Sequence, residues 1–289
     1  MKKVLILLAC LFALALCAHA QAPEHDLTLM VYMCGSNLES SSGSASADIQ
    51  EMIASGFDNT SMSVLVMAGG TSSWNLGLEA EELSICEIGR RGVRIVSREP
   101  AQSMGSAETL RHLIDYGTEN YPAEEYALIL WDHGGGPLEG VCWDELFSMD
   151  NLSLAELQQA LEEAEMSGKL SWIGFDACLM STAEVASALA PYAGYMIASQ
   201  ETEPANGWNY SFLRGLENDQ SGADTGRRVV DAYFEGVEDS LDTLTLACTD
   251  LTRMAEVLET MDSFFSPIGQ QLDKDSFNHF SGLRMSATG

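Results

Sequence analysis

Tyr126-Ala127-Leu128-Ile129-Leu130-Trp131-Asp132-His133-Gly134-Gly135-Gly136 is an apolar run that ends abruptly in an acid, an imidazole and three glycines. Such a run, without polar alternation, is the pattern of a strand covered on both faces, as in a parallel sheet. A second stretch repeats the design, with Ser171-Trp172-Ile173-Gly174-Phe175 running into Asp176-Ala177-Cys178-Leu179-Met180. Between the two, Ser153-Leu154-Ala155-Glu156 has capping-box spacing and predicts a helix to about Met166. Strand, helix and strand make one parallel crossover. It sets His133 and Cys178, 45 residues apart, just past the carboxyl ends of neighbouring strands, where open parallel sheets bind ligands.

The same alternation continues outward. Leu27–Met33, Val64–Ala68, Tyr195–Ala198 and Leu244–Cys248 read as buried strands, and Leu83–Ile88 and Val93–Val96 flank Gly89-Arg90-Arg91-Gly92 as a hairpin. Helices are predicted over Ser44–Ser55, after a Ser-rich loop, and from Ser106 to Tyr116, stopped by Gly117 and Pro122. A third follows Ser181-Thr182-Ala183-Glu184, a second capping box, and runs to Leu189. The fold class is therefore α/β, a mostly parallel sheet with helices on both faces. No repeat or linker divides residues 21–289, so one domain is expected. The chain stops at Ser286-Ala287-Thr288-Gly289 without a closing element, as a C-terminally truncated fragment would.

Composition narrows the function. With 14 Lys+Arg against 43 Asp+Glu, the formal charge is −29, which excludes a nucleic-acid binder and an anionic membrane surface as partner. A cationic ligand or peptide is attracted instead. Met1-Lys2-Lys3, the apolar run to Leu16 and Ala18-His19-Ala20 have the order of a secretory signal peptide cut after Ala20, with lipidation at Cys17 ranked second. No other segment approaches membrane-spanning length. Export permits disulfides, but the five cysteines beyond the leader are an odd number at irregular spacing. Most read as small buried hydrophobes.

A thiol needs a nearby imidazole to act as a nucleophile and to protonate a leaving amine. The glycines after His133 let backbone N–H groups come close to a substrate oxygen. Each feature also has a bland reading: Cys178 as a structural thiol, His133 as a loop hydrogen-bonder, the glycines as a turn. An esterase-like His-Gly-Gly-Gly loop is set aside because the chain has no Gly-x-Ser-x-Gly.

Together, Trp131-Asp132-His133-Gly134-Gly135-Gly136 and Gly174-Phe175-Asp176-Ala177-Cys178-Leu179-Met180 resemble the two catalytic blocks of the clostripain family of cysteine peptidases, relatives of caspases, gingipains and legumain. The resemblance extends from about Leu27 through Glu201-Thr202-Glu203-Pro204-Ala205-Asn206-Gly207-Trp208. It implies a caspase-like fold and endopeptidase activity on peptides or proteins after Arg or Lys; a monomer is expected. By the same resemblance Cys178 is the nucleophile, His133 the general acid, and the N–H groups of Gly134 and Cys178 hold the oxyanion. Asp176 is implied as the acceptor of a basic P1 side chain. Asn206 stands on the opposite pocket wall, a neutral amide that weakens a doubly acidic pocket, with Glu201 and Glu203 as other sources of charge. No cofactor is required; calcium is used by some relatives, and Glu79, Glu81 and Glu82 are an acidic cluster that reads equally as a solvated face. Pro137 departs from the aromatic residue expected after the glycines. Lys169 is the single basic residue between His133 and Cys178. Since it abuts a strand, the expectation is activity without internal cleavage, or a non-basic P1 preference. The rival readings are a caspase-like binding module without activity and a peptidase with a neutral P1.

Overall fold

β1 (His25–Cys34) lies at the centre of an eight-stranded sheet, with every residue from Leu27 to Cys34 buried. A computed structural model describes residues 23–204, 206–216, 221–235, 244–270 and 273–286; the leader read at residues 1–20 lies outside the described residues. On one side β1 pairs in parallel with β2 (Met62–Gly69) and on the other with β5 (Ala123–Trp131). β5 pairs in parallel with β8 (Leu170–Asp176), and β8 with β9 (Ala193–Ala198). Antiparallel strands close both edges: β3 (Glu82–Gly89) and β4 (Gly92–Pro100) beyond β2, and β10 (Ala247–Asp250) beyond β9. The sheet order is β10-β9-β8-β5-β1-β2-β3-β4. Chain direction across the sheet reverses between β1 and β5, the switch point at which open α/β sheets form a crevice.

Alternate residues of each central strand feed two cores. Met30 and Tyr32 of β1 face the helices α3 (Ala107–Asn120), α5 (Leu154–Glu163) and α6 (Ala183–Leu189) through Leu110, Leu157 and Val185. Leu29, Val31 and Met33 face α2 (Ser44–Ser55) and α7 (Gly222–Glu235) through Ile49, Met52, Val229 and Tyr233. Two faces covered by helices account for strands that read as continuous apolar runs.

Several boundaries differ from the sequence reading. The Ser-rich segment is a helix, α1 (Ser36–Ser42), rather than a loop. It begins at Ser36 with φ of 44°, and it is stopped by left-handed Gly43. α3 passes through Gly117 to Asn120, and a Cβ at 117 would sit 2.6 Å from the sulfur of Met30. Glycine at 117 thus serves close helix-to-strand packing, not termination. The cap of α6 is Thr182, which accepts from Val185 N–H, one residue later than the Ser181 box implied. β10 starts at Ala247 instead of Leu244. Between β5 and α5 the chain also inserts α4 (Gly136–Glu139) and the hairpin β6 (Val141–Asp144) and β7 (Asp150–Leu152). α8 (Met254–Gly269) and α9 (Lys274–Ser286) complete the described elements.

Candidate active site

The carboxyl ends of β1, β5 and β8 come out side by side at one sheet edge, since Met33 is level with Trp131 and Trp131 with Asp176. The segments that leave these ends, helix α1 after β1 and the loops after β5 and β8, carry Asn37, His133 and Cys178 respectively. Their relative positions are set by buried polar contacts. Asp132, at the end of β5, accepts from the Ser36 hydroxyl at 2.5 Å and from the Trp143 N–H at 2.6 Å. It therefore ties the turn after β1 and the β6 hairpin to the residue preceding His133. Burial pushes the Asp132 carboxyl up to about 7, while these donors pull the other way.

The His133 ring makes its hydrogen bond through Nε2 to Oδ1 of Asn37, at 2.8 Å. The ring also makes a T-shaped contact with Trp143, with ring centroids 6.4 Å apart. Partial burial holds the imidazole below the ordinary histidine value. Asn37 was not singled out by the sequence. The signal that points to it is topological: it stands two residues past the β1 turn, on the edge shared with His133.

Gly134 comes next. Gly135 N–H donates to Gly140 O at 2.9 Å and Cys142 N–H to His133 O at 3.2 Å, which makes Gly134 and Val141 a non-hydrogen-bonded antiparallel pair. In such a pair the main-chain groups of both residues turn away from the partner strand. The Cα of Gly134 also presses on the Cys178 loop: a Cβ there would lie 2.1 Å from Cys178 O and 3.0 Å from Cys178 N. The two loops thus meet backbone to backbone.

Cys178 sits where β8 breaks into a turn, with Leu179 at φ of 64°. The following loop is tied to the one after β9 by Leu179 N–H to Glu201 O at 3.1 Å and Ser181 N–H to Ser199 O at 2.8 Å. The thiol of Cys178 accepts from Glu203 N–H at 3.2 Å, which fixes the direction of the side chain. The other four cysteines of the described residues are also free thiols; Cys34, Cys86 and Cys142 are buried.

A cavity of about 190 Å³ opens between these loops, lined among others by Leu38, His133, Asp176, Cys178, Glu203 and Gly207. Asp176 forms its floor. Oδ1 accepts from Trp208 N–H at 3.1 Å and Oδ2 from the Tyr210 hydroxyl at 2.9 Å. Burial raises this carboxyl to about 7 against those two donors. Gly207, at φ of 56°, passes over it so closely that a Cβ would lie 2.8 Å from Oδ1. Glu203 also lines the cavity, its carboxyl buried beside the Trp208 side chain and the Asp176 carboxyl. Its carboxyl is driven well above the usual range by burial and then by the charge of Asp176. Glu201 and Asn206, named beside Asp176 from the sequence, are exposed and do not line the cavity. Among the described residues no group of three or more His, Cys, Asp or Glu is arranged to hold a metal ion, and Glu82 of the acidic cluster pairs with Arg98 at 3.1 Å.

A mixed sheet with a parallel centre, helices on both faces and a Cys and a His on loops from adjacent strands is the caspase-like α/β class. Within that class the chain belongs to the clostripain family of cysteine peptidases, hydrolases of peptide bonds, whose family model matches residues 31–287. It is 31% identical over 162 residues to clostripain of Hathewaya histolytica, half of this chain but 30% of that relative's length. The fold is similar to a secreted cysteine protease from Bacteroides thetaiotaomicron solved with an irreversible peptide inhibitor, at TM-score 0.64 and 20% identity over 80% of this chain and 68% of that one. An inactive zymogen from Parabacteroides distasonis gives TM-score 0.65 and 24% identity, over 85% and 67%. No helix among the described residues is long and apolar enough to cross a membrane.

Proposed function

We propose that this chain is a secreted endopeptidase that cuts peptide bonds after Arg or Lys with a Cys178–His133 dyad. The observation that carries the reading is the backbone contact between Gly134 and Cys178, which holds the imidazole loop and the thiol loop together over a cavity floored by a carboxylate. The Cys178 thiolate attacks the scissile carbonyl carbon, and the carbonyl π electrons move to oxygen. That oxyanion is received by the main-chain N–H groups of Gly134 and Cys178. As the C–N bond breaks, His133 gives its proton to the leaving amine, and a thioester to Cys178 remains. Water, deprotonated by His133, attacks the thioester carbonyl; the C–S bond breaks and the acid is released.

Asn37 holds the imidazole through Nε2, which leaves Nδ1 as the nitrogen for the leaving group. Asp176 supplies negative charge for a cationic P1 side chain, in line with the acidic surface that draws basic peptides. The clostripain relationship supports the same preference. Calcium is an assay variable, to be run present and absent.

The deciding experiment pairs fluorogenic peptides bearing Arg, Lys, Asp or Asn at P1 with the Cys178→Ala variant. Cleavage after Arg or Lys that disappears in the variant is the expected result. A folded protein silent on every peptide, with calcium added, returns the reading to a binding module.

A further inference from the structure

The cavity lined by Leu38, Asp176 and Gly207 serves the acyl half of a substrate, so the half that leaves must pass His133, which gives its nitrogen a proton. Beyond His133 the main chain runs through Gly134, Gly135 and Gly136. A Cβ would lie 2.1 Å from Cys178 O at Gly134 and 2.5 Å from the Cβ of Glu139 at Gly135, and Gly136 has φ of 70°. The stretch is therefore a strip of bare backbone beside the nucleophile, against which a peptide can lie closely.

Apolar side chains border this strip, and none of them lines the cavity. Leu138, in α4, is 94% exposed, more than any other large hydrophobic residue among the described residues. Leu179, next to Cys178, is 37% exposed, and its main chain lies against the strip: a Cβ at Gly136 would be 3.3 Å from Leu179 O. Trp143, partly buried, bounds the strip at Gly135, where a Cβ would be 3.1 Å from its ring, and it contacts His133. Single exposed hydrophobic residues are ordinary, but three along one strip that continues the cleft form a patch. Leu179 also stands at φ of 64°, where glycine is at ease and leucine is strained. A ligand that covers its side chain supplies burial to set against that cost. The chain's formal charge of −29 makes a second copy a poor occupant, because two such molecules repel.

We infer that Leu138, Leu179 and Trp143 form an apolar shelf for the leaving half of the substrate and take a hydrophobic side chain at P1′ or P2′. Successive side chains of an extended peptide point to opposite sides, so one of these two positions meets the shelf and the other does not. The inference rests on the endopeptidase reading above, but not on its choice of P1.

The test rebuilds the best-cleaved peptide of the P1 panel as internally quenched peptides with Leu, Phe, Ser or Asp at P1′ or at P2′. At one of the two positions, kcat/KM for Leu and Phe should exceed that for Ser by about 10-fold, with Asp lower still. Leu138→Ser should bring the Leu-to-Ser ratio below about 3-fold. Leu179→Gly should do the same, and glycine accepts the backbone angle at that position. Alkylation of Cys178 by chloroacetamide should keep the parent's rate in both variants. Equal loss on every peptide with slowed alkylation assigns the two leucines to holding the Cys178 loop and overturns the inference. A parent protein indifferent to P1′ and P2′, or a preference that both variants keep, overturns it as well and leaves the endopeptidase reading standing. If Leu138→Ser then also converts a sedimenting dimer to a monomer, the shelf belongs to a second copy of the chain. A parent protein that cuts no peptide overturns the endopeptidase reading itself, and this inference with it.

Discussion

His133 Nε2 and Asn37 Oδ1 are 2.8 Å apart, which ties the imidazole leaving β5 to the helix that follows β1. The preceding residue, Ser36, donates its hydroxyl to Asp132, the residue before His133. The segments that carry the ring and its partner are thus joined at two points, Asn37 to His133 and Ser36 to Asp132. Asn37→Ala should lower kcat/KM by about 10-fold, since orienting a general acid contributes less than supplying one. Melting temperature should hardly move, because Asn37 is exposed. The telling measurement is the pH profile of kcat/KM: loss of orientation lowers the plateau, and a profile of unchanged height shows that Asn37 does not position the ring.

Gly134 is the other contact with a steep dependence. A methyl group at 134 would collide with the Cys178 carbonyl, so Gly134→Ala must push the two loops apart. If its N–H is an oxyanion donor, kcat should fall by about 100-fold or more. Overpacking should add a loss of about 1–3 kcal/mol in stability, read from urea denaturation. A stability loss with kcat intact would place the oxyanion site elsewhere.

The central crossover was legible because its signals are local and strong. Apolar runs for β5 and β8, the Ser153–Glu156 capping box and the abrupt change to Asp-His-Gly and Asp-Ala-Cys each have their own chemistry. Pairing of β5 with β8 follows from crossover geometry alone. What could not be read is what depends on contacts distant in sequence. Gly117 looks like a helix stop until Met30 is seen against it. Ser36–Ser42 has poor helix formers and few apolar residues, and its helical state is set by the turn that Asp132 holds. Glu201, Glu203 and Asn206 are equal as letters. Only the course of the loop, with Glu203 N–H on the Cys178 sulfur, separates the buried acid from the exposed residues.

The acidic floor gives substrate binding a pH dependence of definite sign. Burial raises Asp176 to about 7, so below that pH it is largely protonated and offers a cation little. KM for Arg and Lys peptides should therefore fall as pH rises from about 6 to about 8. A neutral-P1 peptide should show no such trend, which separates the pocket from the titration of the dyad. A flat KM for basic peptides across this range would mean that Asp176 keeps its charge throughout or does not meet P1.

Lys169 bears on maturation. Its N–H donates to Met166 O at 3.0 Å, and the next residue, Leu170, enters β8 with its N–H on Tyr192 O at 3.1 Å. A peptidase needs an extended segment, and this one is a tight turn feeding a central strand. Purified active protein should run as one chain between His133 and Cys178 on a denaturing gel. Two tightly associated fragments cut after Lys169 would require β8 to open at its amino end.

Asp48 lies in α2 beneath the pocket, its Oδ2 accepting from the Trp131 indole N–H at 2.7 Å. Burial first, and then the charge of Asp176, raise its carboxyl to about 9. An unfolded chain releases that proton at about 3.9. Between the two values the folded state holds a proton that the unfolded state does not, so this residue's contribution to stability is whole below about 4 and declines as pH rises toward about 9. Asn keeps an oxygen for Trp131 and has nothing to ionise. Asp48→Asn should consequently raise the melting temperature at pH 8, and the gain should shrink on approach to pH 4. Calorimetry at several pH values reads both features; a variant that melts lower at pH 8 would show that the ionised carboxylate, not the proton, is what Trp131 requires.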